Sequence, residues 1–266
     1  MRKRHTHWFI ALSFFLLLLP IAYLLLMPDL SKLKKENPKK TALMEYRETA
    51  SREKRKRFRM DQRWVPFSKI SPYLVKAVLI AEDDKFWGHE GFDYEAIQKA
   101  LEKDLKAKKF KFGGSTITQQ LARNLYLSPE KSLIRKISEA IITWRMEKVL
   151  SKKRILELYL NVAEWGEGIF GAEAASRHYY GKSSSELTPE EAARLASVLP
   201  NPRKYNPAGD QRYVTSRSNL IYSIMIQRGI VIPEYKEVTE SQESSFPEET
   251  VSDSPVSEEE NGTENR

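Results

Sequence analysis

The stretch from Ser71 to Asp93, SPYLVKAVLIAEDDKFWGHEGFD, contains a helix signal followed directly by a dense set of polar and aromatic side chains. Ser71 and Pro72 are typical of an N-cap and first helical position, because proline is well tolerated there. The apolar side chains that follow recur at helical spacing: Leu74, Val75, Val78 and Leu79. The stretch therefore predicts a helix that ends near consecutive carboxylates.

Those carboxylates, Glu82–Asp84, are followed at once by Phe86, Trp87 and His89. A carboxylate beside apolar surface has its charged form disfavoured, so its pKa rises and it can serve as a general base. The alternative is a solvated helix end whose acidic side chains carry no chemistry. The density of aromatic residues favours the functional interpretation.

Further helix signals follow along the chain, whereas no convincing run of alternating strand residues is present. The chain from about Trp64 to Pro233 is therefore predicted to be mainly α. The predicted helices are one capped by Asp93 with Ile97, Ala100, Leu101 and Leu105 on its apolar face, one from near Ser115, one from about Pro129 with Leu133, Ile137, Ile141 and Trp144 on one face, one over Lys153–Asn161, one opened by a Thr188–Glu191 capping box, and one over Asp210–Arg228 that stops at Gly229.

A glycine-rich loop precedes one of these helices. Gly113 and Gly114 let the backbone approach a ligand closely, and Ser115 and Thr116 can cap a helix whose free N–H groups favour an anion. Hydrogen-bond donors continue along the next two turns: Gln119, Gln120, Arg123 and Asn124. The sequence is neither a P-loop nor a G-x-S-x-G elbow, and an ordinary capped loop is the alternative.

A third group, Arg135, Lys136 and Glu139, shares one helix face because its members are three and four residues apart. A surface salt-bridge cluster of little energetic value is the plain interpretation. The functional interpretation is a carboxylate held beside cations that receive a phosphate.

The charge of the chain is strongly divided. Of its 266 residues, 44 are basic and 36 acidic, giving a net charge of +8, but residues 236–266 alone contain 10 acidic and 2 basic residues. Residues 1–235 therefore have a net charge of +16, which favours an anionic partner such as a nucleic acid, anionic lipid or phosphorylated substrate. The absence of cysteine excludes disulfides, cysteine-ligated zinc and a cysteine nucleophile.

The N-terminal region contains an uncharged apolar run of 20 residues, Trp8–Met27. At about 1.5 Å per residue such a helix spans roughly 30 Å, which matches a bilayer core. A cleaved signal peptide is the alternative, but its apolar region should be shorter and end in a small-residue cleavage site. We therefore expect an uncleaved anchor, although basic residues on both sides of it leave its orientation open.

The predicted organisation is a basic N-terminus over 1–7, a transmembrane anchor over 8–27, a basic juxtamembrane linker over 28–62, a globular domain over 63–233 and an acidic, disordered tail over 234–266. The linker includes a run of basic residues between 52 and 59, which is most simply a solvated face and alternatively a contact for anionic lipid headgroups.

Read together, these segments resemble the five motifs of the peptidoglycan glycosyltransferase family, in its monofunctional membrane-anchored branch. The match covers about residues 64–230. The matching positions are Glu82, Asp83, Phe86, His89, Gly91 and Asp93; Gly113–Leu121; Arg135, Lys136 and Glu139; Ser151–Asn161; and Leu195–Pro202 with Tyr205–Pro207. One position departs from the family, since Arg123 stands where lysine is usual, which keeps the charge and changes the donor geometry.

The resemblance implies a lysozyme-like helical glycosyltransferase domain that polymerises lipid II into β-1,4-linked glycan with inversion and releases undecaprenyl pyrophosphate. Glu82 would be the general base and Glu139 the second catalytic carboxylate. The implied substrate-binding residues are Asp83, Phe86, His89, Gly113, Gly114, Ser115, Thr116, Gln119, Gln120, Arg123, Asn124, Arg135 and Lys136.

The resemblance also implies partners and a location. The partners are lipid II, the nascent glycan strand, the cytoplasmic membrane, and wall-synthesis or division proteins, with no nucleic acid. No cofactor is certain, but Glu139 could organise a divalent cation, Mg²⁺ or Mn²⁺, with the pyrophosphate. The N-terminus would lie in the cytoplasm and the catalytic domain on the outer face of the bacterial inner membrane.

Two other functions stay open. A lysozyme-like hydrolase or lytic enzyme would also use two carboxylates on a helical fold, but it needs neither a dense cationic cluster nor a membrane span. A catalytically inactive membrane scaffold of wall synthesis is the alternative outside the enzymes, and the presence of both Glu82 and Glu139 disfavours it.

Overall fold

The structure is a computed structural model, and it describes residues 27–55, 57–107, 114–130 and 132–232, without the side chains of 104, 106 and 107. The predicted anchor, apart from Met27, and the predicted acidic tail lie outside these residues. Nine α-helices are found within them, which confirms the mainly-α prediction. They are α1 (Ala42–Glu53), α2 (Pro72–Glu82), α3 (Tyr94–Ala107), α4 (Ile117–Tyr126), α5 (Leu133–Val149), α6 (Lys152–Val162), α7 (Ala172–Tyr180), α8 (Pro189–Val198) and α9 (Arg212–Gln227).

Two sets of helices build the core around α2 and α4. Helix α8 packs against both α2 and α9, and α4 packs against both α5 and α6. Their apolar side chains join one buried cluster that includes Leu74, Ile117, Leu121, Ile142 and Ile155. Because α2 and α4 are held from several sides, the residues at the C-terminus of α2 and the N-terminus of α4 are fixed relative to each other.

The helix ends follow the predicted signals closely. The Thr188 capping box is present, with the Thr188 hydroxyl accepting from the Glu191 N–H at 3.3 Å. Ser71 is the N-cap of α2, yet its hydroxyl donates to the Leu187 carbonyl at 3.1 Å and does not cap the helix. The Asp93 carboxylate caps α3 by accepting from the Ala96 N–H at 2.9 Å.

The apolar faces predicted on α3 and α5 are present, but they are largely exposed. On α3, Leu101 is 52% and Leu105 61% exposed, and on α5 Leu133 is 78% exposed. Helix α5 instead buries a partly polar face that includes Glu139, Ile142 and Met146. Helical periodicity identifies an apolar stripe, but it does not say whether protein covers that stripe.

A small three-stranded sheet, absent from the sequence prediction, closes one side of the domain. Strand β1 (Asp61–Gln62) pairs in parallel with β3 (Ile169–Phe170), which pairs antiparallel with β2 (Glu164–Gly166). Strands of two or three residues leave no alternating pattern to detect. Gly171, with φ of +85°, follows β3 at a point where a Cβ would lie 2.6 Å from the Asn161 carbonyl oxygen.

The described part of the segment predicted as a linker, from residue 28 to 62, packs against the domain. Leu30 and Leu33 join the main core. This segment was expected to be helical only in part, and α1 is its α-helical part. On α1, Arg47 donates to both carboxylate oxygens of Glu164 in β2, at 2.7–3.1 Å. The folded body therefore begins well before residue 63.

Within the described residues, no helix combines the length and the apolar character that crossing a membrane requires.

Candidate active site

A cleft of about 530 Å³ opens where the C-terminus of α2 meets the N-terminus of α4. Its walls are Ile80–Asp84, Asp93, Ala96, Gly114–Thr116, Gln120, Arg123, Leu199, Pro200 and Arg217. The first and second predicted groups thus meet in one cavity. The α8 C-terminus and α9 complete it, and the latter contributes Arg217, which the sequence reasoning missed.

Glu82 is the last residue of α2, and its side chain is only 10% exposed. One carboxylate oxygen accepts a hydrogen bond from the Gln120 amide nitrogen at 2.8 Å, and the other lies 3.7 Å from an Arg217 guanidinium nitrogen. Burial raises the pKa of the Glu82 carboxyl above its ordinary value, although the Gln120 hydrogen bond and the charges of Arg217 and Arg123 lower it. A carboxylate with a raised pKa in an open cleft is suited to accept a proton.

The neighbouring Asp83 has a different task. Its side chain is 2% exposed, and one oxygen accepts from the Ile117 N–H at the start of α4, at 2.9 Å. The other oxygen lies 2.8 Å from His89 Nε2, while His89 Nδ1 accepts from the Gly91 N–H at 3.1 Å. Because Nδ1 is an acceptor, Nε2 carries the proton and donates to Asp83. Asp83 and His89, predicted to bind substrate, therefore tie α2 to α4.

Some residues of the glycine-rich loop line the cleft, and others stabilise the start of α4. Thr116 and Gln119 form a reciprocal capping box at the N-terminus of α4, and the Thr116 hydroxyl donates to the Gly91 carbonyl at 2.7 Å. Gln119 is buried and lies outside the cleft walls. Gly114 and Ser115 line the cleft, while Gly113 lies outside the described residues.

Gln120 has a second partner on the side away from the cleft. Its amide oxygen accepts from the hydroxyl of Tyr159, a residue of α6 that is 1% exposed, at 3.1 Å. Burial raises the pKa of the Tyr159 phenol well above its ordinary value, and the nearby Glu82 charge raises it further. The hydroxyl therefore stays protonated and remains a donor throughout the working pH range.

Two cations face the cleft near Glu82. Arg123 comes from α4, and Arg217 comes from α9, where one guanidinium nitrogen donates to the Ala81 carbonyl at 3.0 Å. The Arg217 Nε is buried and has no hydrogen-bond partner in the described part of the chain. An arginine within an amphipathic helix that also contains Arg212 gives no sequence signal for this placement.

The third predicted group forms a compact ion cluster on α5. The Glu139 side chain is fully buried, with one oxygen 2.7 Å from an Arg135 nitrogen and the other 2.5 Å from Lys136 Nζ. None of the three lines the cleft around Glu82. The structure therefore brings the first two predicted groups together and leaves the third beside them on the helix that packs against α4.

Two other predicted contacts lie in the protein interior. Phe86 is fully buried, with Lys152 Nζ 4.5 Å from its ring centroid. Asn124 is 9% exposed on α4 and is not a cleft wall. Both residues belong to the predicted substrate-binding set, and both are buried in this structure.

Comparisons with known proteins identify the family of the chain. The family described as Transglycosylase matches residues 48–226, which include every residue of the cleft. A biosynthetic peptidoglycan transglycosylase of Nitrosospira multiformis is 50% identical over 194 residues, 73% of this chain and 84% of the relative. Proteins of the same name from Dechloromonas aromatica and Herminiimonas arsenicoxydans are 56% identical over 170 residues and 45% over 215, covering 64% and 79% of this chain and 74% and 93% of the relatives. The chain therefore belongs to the transglycosylase family.

Proposed function

We propose that this chain polymerises lipid II into β-1,4-linked glycan, with Glu82 as the general base. The chain is a peptidoglycan glycosyltransferase of cell-wall synthesis, and so an enzyme of the cell envelope. The observation that carries the residue assignment is the buried Glu82 carboxylate, whose pKa is raised, in a cleft that also presents Arg123 and Arg217. A lysozyme-like arrangement of the helices belongs to the same proposal.

The chemistry follows from that arrangement. Glu82 takes the proton from the acceptor sugar hydroxyl as its oxygen attacks the anomeric carbon of the donor. The new C–O bond forms as the bond to the lipid pyrophosphate breaks on the opposite face, so configuration is inverted. Arg123 and Arg217 stabilise the negative charge that develops on the departing pyrophosphate.

The α5 ion cluster fits a supporting role for the pyrophosphate. Arg135 and Lys136 are the donors for phosphate oxygens, and Glu139 holds both of them in place. The Glu139 carboxylate does not fit a divalent metal ion, because Arg135 contacts one of its oxygens and Lys136 contacts the other. Within the described residues, no three His, Asp or Glu side chains are grouped to hold a metal. No step of the proposed reaction passes through a metal ion.

We also propose that the domain works against the membrane. The outward apolar faces of α3 and α5, with Leu101, Leu105 and Leu133 exposed, suit insertion among lipid chains beside a lipid-borne substrate. Residues 8–27 would anchor the chain, with the N-terminus in the cytoplasm and the catalytic domain outside. The partners would be lipid II, the nascent strand, and wall-synthesis or division proteins, with no nucleic acid.

The experiment is to incubate detergent-solubilised full-length protein with lipid II and resolve the product lengths on a gel. A parallel reaction receives finished, lipid-free glycan. Polymer from lipid II with no shortening of the glycan is expected. Shortening without polymer would assign the hydrolase. Folded protein that binds lipid II without turnover would assign the scaffold.

A further inference from the structure

Gln120 lies between a carboxylate that can only accept and a phenol that can donate. Its amide nitrogen is 2.8 Å from Glu82 and its amide oxygen is 3.1 Å from the Tyr159 hydroxyl. An amide group can rotate by 180° and present either its oxygen or its nitrogen to a neighbour. Only one of those orientations satisfies an ionised Glu82, and the hydroxyl of Tyr159 stabilises that orientation from the other side by donating to the amide oxygen.

We propose that Tyr159 is a positioning residue for the general base: its hydroxyl holds the Gln120 amide in the orientation that points the NH₂ group at Glu82. The inference rests on the proposed function of Glu82. Tyr159 is 1% exposed and lies outside the cleft walls, so it acts on Glu82 through Gln120 and not by touching substrate.

The contact of Tyr159 with Gln120, called the latch below, changes the pKa of Glu82 in one direction. A hydrogen bond donated to the ionised form stabilises that form, and the Gln120 contact lowers the pKa of Glu82 against the opposing effect of burial. The other groups facing Glu82 are Arg217, Arg123 and Asp83, and none of them changes when the Tyr159 hydroxyl is removed. Without the Tyr159 hydroxyl, the amide loses the hydrogen bond that fixes it beside Glu82, its own bond to the ionised carboxylate weakens, and the carboxyl takes up a proton at higher pH.

The test compares the acid limb of the pH profile of kcat/KM for lipid II in wild type and Tyr159→Phe. A hydrogen bond donated to a charged group shifts the pKa of that group by more than about one unit. Partial loss of the amide orientation should therefore raise the midpoint pH of the acid limb by about half a unit or more. Tyr179→Phe is the matched control, since its hydroxyl donates to the Trp165 carbonyl at 3.1 Å away from the cleft. In this control the limb should not move.

A double variant separates the latch from a merely structural role. In a Gln120→Ala background, Tyr159→Phe should add no further shift of the limb, because its effect passes through the amide. An unmoved limb in Tyr159→Phe, or the same shift in both backgrounds, would overturn the proposal.

A second measurement does not depend on the Tyr159→Phe variant folding. The side-chain amide signals of Gln120 in the wild-type protein, assigned by their loss in Gln120→Ala, should titrate with Glu82 in an NMR spectrum. Signals that do not respond to that titration would also overturn the latch. Polymer formation by Glu82→Gln would overturn the proposed function instead, so the two failures are distinguishable.

Discussion

Arg217 should set the pH range in which Glu82 works. The two side chains approach to 3.7 Å, and Arg217 is about one-third exposed, so a water-like dielectric is the appropriate lower limit for their attraction. Coulomb's law then gives about 1 kcal/mol, which corresponds to roughly 0.7 pKa unit. Because the arginine charge lowers the pKa of Glu82, its removal raises that pKa.

The assay is kcat/KM for lipid II against pH, which reports the ionisation of the free enzyme. In Arg217→Gln the acid limb should move up by roughly 0.7 unit at low ionic strength, and added salt should shrink the difference between the proteins. Arg217→Lys keeps the charge and should keep the limb near its wild-type position. The absolute rate is not the diagnostic quantity, because Arg217 also faces the pyrophosphate site.

Arg203→Gln is the matched control, since it removes an arginine that pairs with Glu167 at 3.4 Å, outside the cleft. Its limb should coincide with that of wild type. An Arg217→Gln limb at the wild-type pH, or one displaced downwards, would refute the electrostatic coupling.

Three further outcomes are expected. Arg47→Ala should lower the free energy of unfolding by about 3 kcal/mol, since Glu164 is left buried and unpaired; burial raises the pKa of Glu164, so the loss seen in urea titrations should shrink as pH falls and the carboxyl takes a proton. Gly171→Ala should destabilise by more than Gly181→Ala, since both have positive φ and cost about 1–2 kcal/mol, but only at Gly171 does the new Cβ meet backbone; equal melting temperatures would contradict this. Arg123→Gln should reduce kcat/KM for lipid II by about tenfold or more while Arg123→Lys stays within a few-fold, because the cleft needs the charge at this position; equal losses would instead assign the guanidinium geometry.

Local signals in the sequence predicted most of the helices, and several of the predicted site residues, Glu82 and Gln120 among them, line the cleft. The Thr188 capping box and the apolar run before Glu82 need only neighbouring residues, and both are present as expected. Helix α7 was missed, because it is nine residues long and follows a glycine-rich turn that masked its start. The strands were missed because segments of two or three residues are too short to show a period.

The rest of the site depends on contacts that the chain makes over long separations. Arg217 reaches Glu82 from α9, and Tyr159 reaches Gln120 from α6, so no local pattern joins them. The apolar stripe of α3 was predicted from its spacing, but a stripe that faces lipid or solvent has the same spacing as one that faces protein. Asp83 and His89 were predicted to bind substrate, and their contacts in the structure brace α2 against α4.

The proposed role of Glu82 is to remove the acceptor proton, and a comparison of three proteins tests this role directly. Full-length wild type, Glu82→Gln and Glu167→Gln, each shown to be folded by circular dichroism, are given lipid II, and the glycan products are resolved by length. Glu167 pairs with Arg203 outside the cleft and controls for loss of a carboxylate. Polymer is expected from wild type and Glu167→Gln, and none is expected from folded Glu82→Gln. Polymer from Glu82→Gln at a rate close to that of wild type would contradict the proposed role.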